Sequence, residues 1–130
     1  MSSLRSLETL HLSFNRLSLS SIPKWVAELP SLSRIYMAGC GIQGEIPEFL
    51  RKAPIEELDL SDNELTGSIP TWIGSFSQLN ILNLSRNSLV SKIPDSITDL
   101  NQLIVIDLHA NKLAGSISRV FQIRQTDIPI

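Results

Sequence analysis

Residues 55–70 read IEELDLSDNELTGSIP. Ile55, Leu58, Leu60, Leu65 and Ile69 follow neither a helical period nor a plain strand alternation. Leu58 and Leu60 stand two apart, so in a short extended segment both side chains point to one side, the core. Glu57, Asp59, Ser61 and Asp62 then point outward. Asn63 follows where the chain has to turn inward. Such a turn buries backbone N–H and C=O groups that need partners, and an Asn amide supplies both donors and an acceptor. Gly67 grants backbone freedom after the turn, Ile69 points to the core, and Pro70 fixes φ at the start of a helical turn.

The same frame recurs along the chain. Its leading apolar residues are Leu7, Leu32, Ile55, Leu79 and Leu103, spaced by 25, 23, 24 and 24 residues. Asn15, Cys40, Asn63, Asn87 and Asn111 hold the ninth position of each unit. Stacked units place these five in an internal polar ladder, with Cys40 the weak hydrogen-bonder, so the second unit is expected to be looser there. One short strand per unit pairs with its neighbours about 4.8 Å away in a parallel sheet. Ile73-Phe76-Leu79, Val26-Leu29-Leu32 and Ile97-Leu100-Leu103, each three apart, predict a turn or two of 3₁₀ or α-helix on the opposite, convex side. Trp25, Phe49 and Trp72 fall on that side, partly exposed, as packing residues. The first unit has one residue more than the third before its Pro, so its loop bulges. The second has one fewer after its Pro, and Ser91 and Ser118 stand where other units have Gly and Pro.

Composition narrows the function. With 130 residues, 42% hydrophobic and 18% charged, the chain suits one domain with a core. A net charge of −2 argues against nucleic acid or an anionic membrane surface as the main partner. Cys40 is the single cysteine, so no intrachain disulfide can form. The opening MSSLRSLETL lacks the apolar segment of a secretory signal, and no apolar run is long enough to span a bilayer. No catalytic residues, metal site or cofactor are expected. His11 and His109 lie four units apart, roughly 20 Å at the strand spacing, too far to share a metal. The glycines of Gly39–Gly44 read as turn chemistry, Cys40 as a buried ladder residue, and the nearby carboxylates Glu57, Asp59 and Asp62 as solvated.

With these units laid out, the chain resembles the leucine-rich repeat family. The added Gly44-Glu45-Ile46-Pro47 and Gly67-Ser68-Ile69-Pro70, and the 24-residue period, resemble its plant-specific class, and IPTWIGSFSQLNILNLSRNSL is very like that class. The resemblance covers about residues 4–118. It implies an α/β solenoid of about five repeats, with a parallel sheet on the concave face. One domain spans 1–121, with a non-repeat tail at 122–130. The family closes its ends with cysteine-paired caps, which this sequence lacks. The expectation is therefore an uncapped piece of a longer array that begins inside a repeat and is open to end-to-end self-association. The alternative is a tail, Phe121–Ile130, folded over the last repeat.

The family also implies a function. The class occurs in ectodomains of plant receptor-like kinases and receptor-like proteins, and in polygalacturonase-inhibiting proteins. The expectation is a non-catalytic module binding a peptide or protein ligand, with a possible co-receptor, in a parent at the plasma membrane or outside the cell. Inhibition of a secreted polygalacturonase, or a structural role with no ligand, are the alternatives. Any kinase domain lies outside this chain. Four outward side chains per repeat, Ser13, Ala38, Ser61, Ser85 and their row neighbours among them, form the expected surface. Its candidate ligand-binding residues are His11, Phe14, Arg34, Tyr36, Glu57, Asp59, Asp62, Asn83, Arg86, Asp107 and His109. Phe14, Arg34 and Tyr36 are expected to sit together, and the acidic third row to face a basic ligand segment. Asn83-Leu84-Ser85 fits the N-glycosylation triplet.

Overall fold

A computed structural model describes residues 4–15 and 17–114. The tail at 122–130, its capping alternative, Ser118 and the first residues of the chain lie outside them. Within the described residues, β1 (Thr9–His11), β2 (Arg34–Tyr36), β4 (Glu57–Asp59), β6 (Ile81–Asn83) and β7 (Val105–Asp107) form one parallel sheet in the order β1-β2-β4-β6-β7. Leu10, Ile35, Leu58, Leu82 and Ile106 stand in register as successive rungs. Ile35, Leu58 and Leu82 are fully buried beneath the sheet, and Leu10 and Ile106, at its two ends, are partly so.

The opposite side is made of 3₁₀ turns over Lys24–Glu28, Glu48–Lys52, Thr71–Ser75 and Asp95–Asp99. A proline precedes each, and its carbonyl accepts the N–H three residues on: Pro23 from Val26, Pro47 from Leu50, Pro70 from Ile73 and Pro94 from Ile97, all at 3.1–3.2 Å. Proline lacks only the donor that this position does not use. The apolar triads of these turns are buried, and Trp25, Phe49 and Trp72 lie half-buried against the core. Trp72 meets Phe76 edge-on at 5.8 Å.

Three features were not legible in the repeat frame. A second parallel pairing, β3 (Gln43–Gly44) with β5 (Glu64–Leu65), is continued by bridges Ser68–Val90 and Lys92–Ala114. The residue before each ladder position is left-handed: Phe14, Gly39, Asp62, Arg86 and Ala110 have φ of +58°, +59°, +56°, +54° and +57°. This kink turns the chain inward, so four non-glycine residues hold a conformation that L-residues disfavour. Ser91, which takes the place of Gly44 and Gly67, is left-handed as they are, at φ +66°.

The ladder has the expected hydrogen bonds, with one correction. The Asn63 amide donates to the carbonyls of Met37, Leu60 and Ser61 and accepts from the N–H groups of Cys40 and Ile42. The Asn63 amide oxygen thus reaches back into the preceding repeat, as that of Asn87 does to Leu65 and that of Asn111 to Leu89. Cys40 donates through Sγ to Leu12 and Ala38 but offers no strong acceptor. The second repeat is therefore held normally by Asn63, and the loosening falls on the first. Leu17 is 43% exposed, whereas its counterparts Ile42, Leu65 and Leu89 are buried. Ser18 and Ser20 in the same bulged loop are left-handed.

Burial also pushes the Cys40 thiol up from its ordinary pKa, against the opposing pull of the Phe14 backbone N–H. In the native chain at neutral pH, Cys40 should react with a maleimide about a hundredfold more slowly than in denaturant, because labelling needs local opening. Equal rates would place Cys40 outside the core.

Candidate functional site

The strands are short because each unit turns inward after two core side chains, leaving a broad, open face of parallel columns. One column runs Thr9, Arg34, Glu57, Ile81, Val105, and the next runs His11, Tyr36, Asp59, Asn83, Asp107. Ten of the eleven candidate residues named above fall on this face or on its left-handed rim, and His109 lies just past the end of β7, exposed beside Asp107.

They are not all equally available. Arg34 donates through Nε to Thr9 Oγ1 at 3.0 Å and lies 3.4 Å from Glu8 and 3.8 Å from Glu56. The Tyr36 hydroxyl donates to Glu57 Oε1, and the His11 ring packs 5.1 Å from the Tyr36 ring. Arg86 lies 3.6 Å from Asp62. These pairs are exposed or half-exposed, so they orient side chains more than they stabilise the fold.

The expected cluster of Phe14, Arg34 and Tyr36 does not form. Arg34 opens its strand, while Phe14 lies on the rim beyond the strand end, 68% exposed, with its ring over Gly39. Register sets this separation: Phe14 is level with Gly39, five residues further along than Arg34. A second correction concerns the next column. Ser61 and Ser85, expected to face outward, are 4% and 0% exposed. Each hydroxyl donates to the side chain two residues back, Ser61 to Asp59 Oδ1 and Ser85 to Asn83 Oδ1, both at 2.7 Å, and each backbone N–H does the same. Ala38 is buried beside them. The serines therefore support Asp59 and Asn83 from below. A short polar residue two positions after each was a sequence signal that alternation alone misread.

At the last strand the support is a histidine. His109 Nδ1 lies 2.5 Å from Asp107 Oδ1, and the His109 backbone N–H donates to the same oxygen. Burial pushes the Asp107 carboxyl up, but these hydrogen bonds, with the charges of His109 and Arg86, outweigh it and hold the carboxyl below the usual carboxylate range. Asp59 and Asp107 each keep their second oxygen without a partner among the described residues.

The charge of the face is one-sided. Glu8, Glu56, Glu57, Asp59, Asp62 and Asp107 stand against Arg34 and Arg86, and both arginines are already paired with carboxylates. Toward the last strand the face becomes apolar, where Ile81 is half-buried and Ile104 and Val105 are exposed. Among the described residues no group of three or more His, Cys, Asp or Glu side chains is placed to hold a metal ion.

Comparison with known proteins fits this architecture. Family models described as leucine rich repeat match residues 53–113, and also 6–29 and 31–53. Receptor-like protein 18 of Arabidopsis thaliana is 37% identical over 93 residues, covering 62% of this chain and 11% of that protein. Receptor-like protein 32 of the same plant is 33% identical over 81 residues, covering 60% of this chain and 9% of that protein. The chain thus spans about a tenth of the length of these curated relatives. Among solved structures, the ectodomain of the Arabidopsis receptor kinase HAESA, in complex with an N-terminally extended IDA peptide hormone ligand, superposes with a TM-score of 0.80 at 35% identity, over 85% of this chain and 19% of that one. The PEPR1–AtPEP1 structure gives 0.80 at 33% identity, over 88% of this chain and 16% of that one. Repeat frame, rung register, amide ladder and these matches agree, and the chain belongs to the leucine-rich repeat family, with homology to plant receptor-like proteins and receptor kinases.

Proposed function

We propose that this chain is a non-catalytic recognition module of a plant cell-surface receptor, and that its concave sheet face binds an extended peptide or protein segment of basic character. The observation that carries this is the open face on which carboxylates outnumber two already-paired arginines. A rigid sheet places its side chains before the ligand arrives, so the ordering cost falls on the ligand. The complementary charge speeds encounter and selects against acidic partners. Similarity to the HAESA ectodomain, solved in complex with a peptide hormone ligand, supports a peptide as the ligand class. A co-receptor is a fitting second partner, since HAESA has also been solved with its peptide hormone and a co-receptor. No helix among the described residues is long and apolar enough to cross a membrane.

Asn83 lies on the face between its register partners Asp59 and Asp107, so a glycan attached there would stand in the ligand's path. Glycosylation of Asn83 and occupation of β4, β6 and β7 are then mutually exclusive states of the site.

The test is titration of the chain with a fluorescent lysine-rich peptide and its glutamate-substituted counterpart. The basic peptide should bind at least about tenfold more tightly at low salt, with the gap narrowing as the Debye length shrinks. Asp59→Asn should weaken it, whereas Glu28→Gln on the convex side should not. Equal binding of the two peptides would sink the proposal.

A further inference from the structure

The face has a spacing as well as a sign. Asp59, Asn83 and Asp107 are register partners on three successive strands. At the strand separation of a parallel sheet, the two carboxylates stand about 9.6 Å apart along the solenoid axis. Both are held from one oxygen only, Asp59 by Ser61 and Asp107 by His109, which leaves the other oxygen of each without a partner among the described residues. Between them, Asn83 uses its Oδ1 on Ser85, and its Nδ2 donates to nothing among the described residues. Beside this column run Ile81 and Val105, register partners on the same two strands.

A ligand that meets both carboxylates with side chains from one side of its backbone needs a matching repeat. A β-strand returns to the same side every two residues, roughly 6.6 Å, and again after four, roughly 13 Å, and neither fits. A polyproline-II helix has three residues per turn and a rise of about 3.1 Å, so positions i and i+3 fall on one side about 9.3 Å apart. We infer that the β4–β7 half of the face recognises a polyproline-II segment carrying Lys or Arg at i and i+3, laid across β4, β6 and β7. Its basic side chains meet Asp59 and Asp107, the free Asn83 amide donates to a backbone carbonyl between them, and an intervening apolar residue rests on Ile81 and Val105. The absence of internal hydrogen bonds in such a segment leaves those carbonyls free, and its stiffness lowers the ordering cost.

This inference rests on the basic-ligand reading above, and its test separates the two. Three fluorescent peptides of identical composition, each with two lysines in a proline-rich background, carry them at i and i+2, i and i+3, or i and i+4. The i, i+3 peptide should bind the full chain at least about tenfold more tightly than either other spacing, an order of magnitude being one good added contact. Asp59→Asn and Asp107→Asn should each erase that preference. Both substitutions keep an oxygen acceptor for the supporting Ser61 or His109, and unchanged circular dichroism and melting confirm the fold. Equal affinities for the three spacings, or a preference that survives both substitutions, would overturn the inference and leave the basic-ligand reading intact. Failure of all three peptides to outbind a glutamate-substituted control would overturn both.

Discussion

Asn87→Ala should lower the stability of the chain by about 3 kcal/mol, and the loss should come mainly from a single backbone group. The Asn87 amide is buried and bonds to Leu60, Leu65, Leu84 and Ser85. The three carbonyls keep other donors when it is removed. Leu60 still accepts from Asn63, Leu84 from Asn111 and Ser85 from the Asp62 N–H. The Leu65 N–H has no second acceptor, and a buried unsatisfied donor costs about 1–3 kcal/mol, to which the vacated side-chain volume adds. Asn15→Ala is the contrast. Asn15 is exposed and its amide nitrogen serves only carbonyls of its own turn, so a change within about 0.5 kcal/mol is expected. Urea titration of both variants tests the pair: similar losses would mean that the ladder does not couple repeats.

Gly74→Ala should also destabilise, by about 2 kcal/mol, although the local rule points the other way. Within a helical turn, replacing Gly by Ala is favourable by about 0.8–1 kcal/mol. Here an added Cβ would lie 2.4 Å from the Ser96 backbone oxygen and 2.8 Å from its Cβ. The 3₁₀ turns Thr71–Ser75 and Asp95–Asp99 are drawn together at this point, where Ser96 Oγ donates to the Thr71 carbonyl at 2.6 Å. Relief of the clash has to move the backbone of two repeats, and overpacking of that kind costs about 1–3 kcal/mol. The equivalent places in the other units hold Ala27, Arg51 and Thr98, so the constraint belongs to one interface and not to the repeat. A midpoint of unfolding in Gly74→Ala at or above that of the parent chain would refute the close approach.

These two residues mark the boundary between what is local and what is not. Asn87 announces itself in the sequence because every unit repeats the same turn and the same need for partners. Gly74 does not, since the position carries a side chain in three units and excludes one in the fourth. The Ser61 and Ser85 hydroxyls belong with Gly74: alternation assigned them outward, and a side chain two residues back drew them in. So does the loosened first repeat, because the effect of Cys40 appears in the neighbour its missing acceptor would have reached.

The amino-acid sequence alone determined the coil, its rungs and its ladder. Those follow from apolar and amide side chains recurring at nearly constant spacing, and each copy obeys the same local physics. Only the tertiary structure decided which outward residues remain free to meet a ligand. Arg34, Glu57 and Asp62 find their partners 21 to 26 residues away or across adjacent strands, as Tyr36 with Glu57 and Arg34 with Glu8 show. Such pairings depend on register between turns of the solenoid, and no single repeat contains the information that sets them.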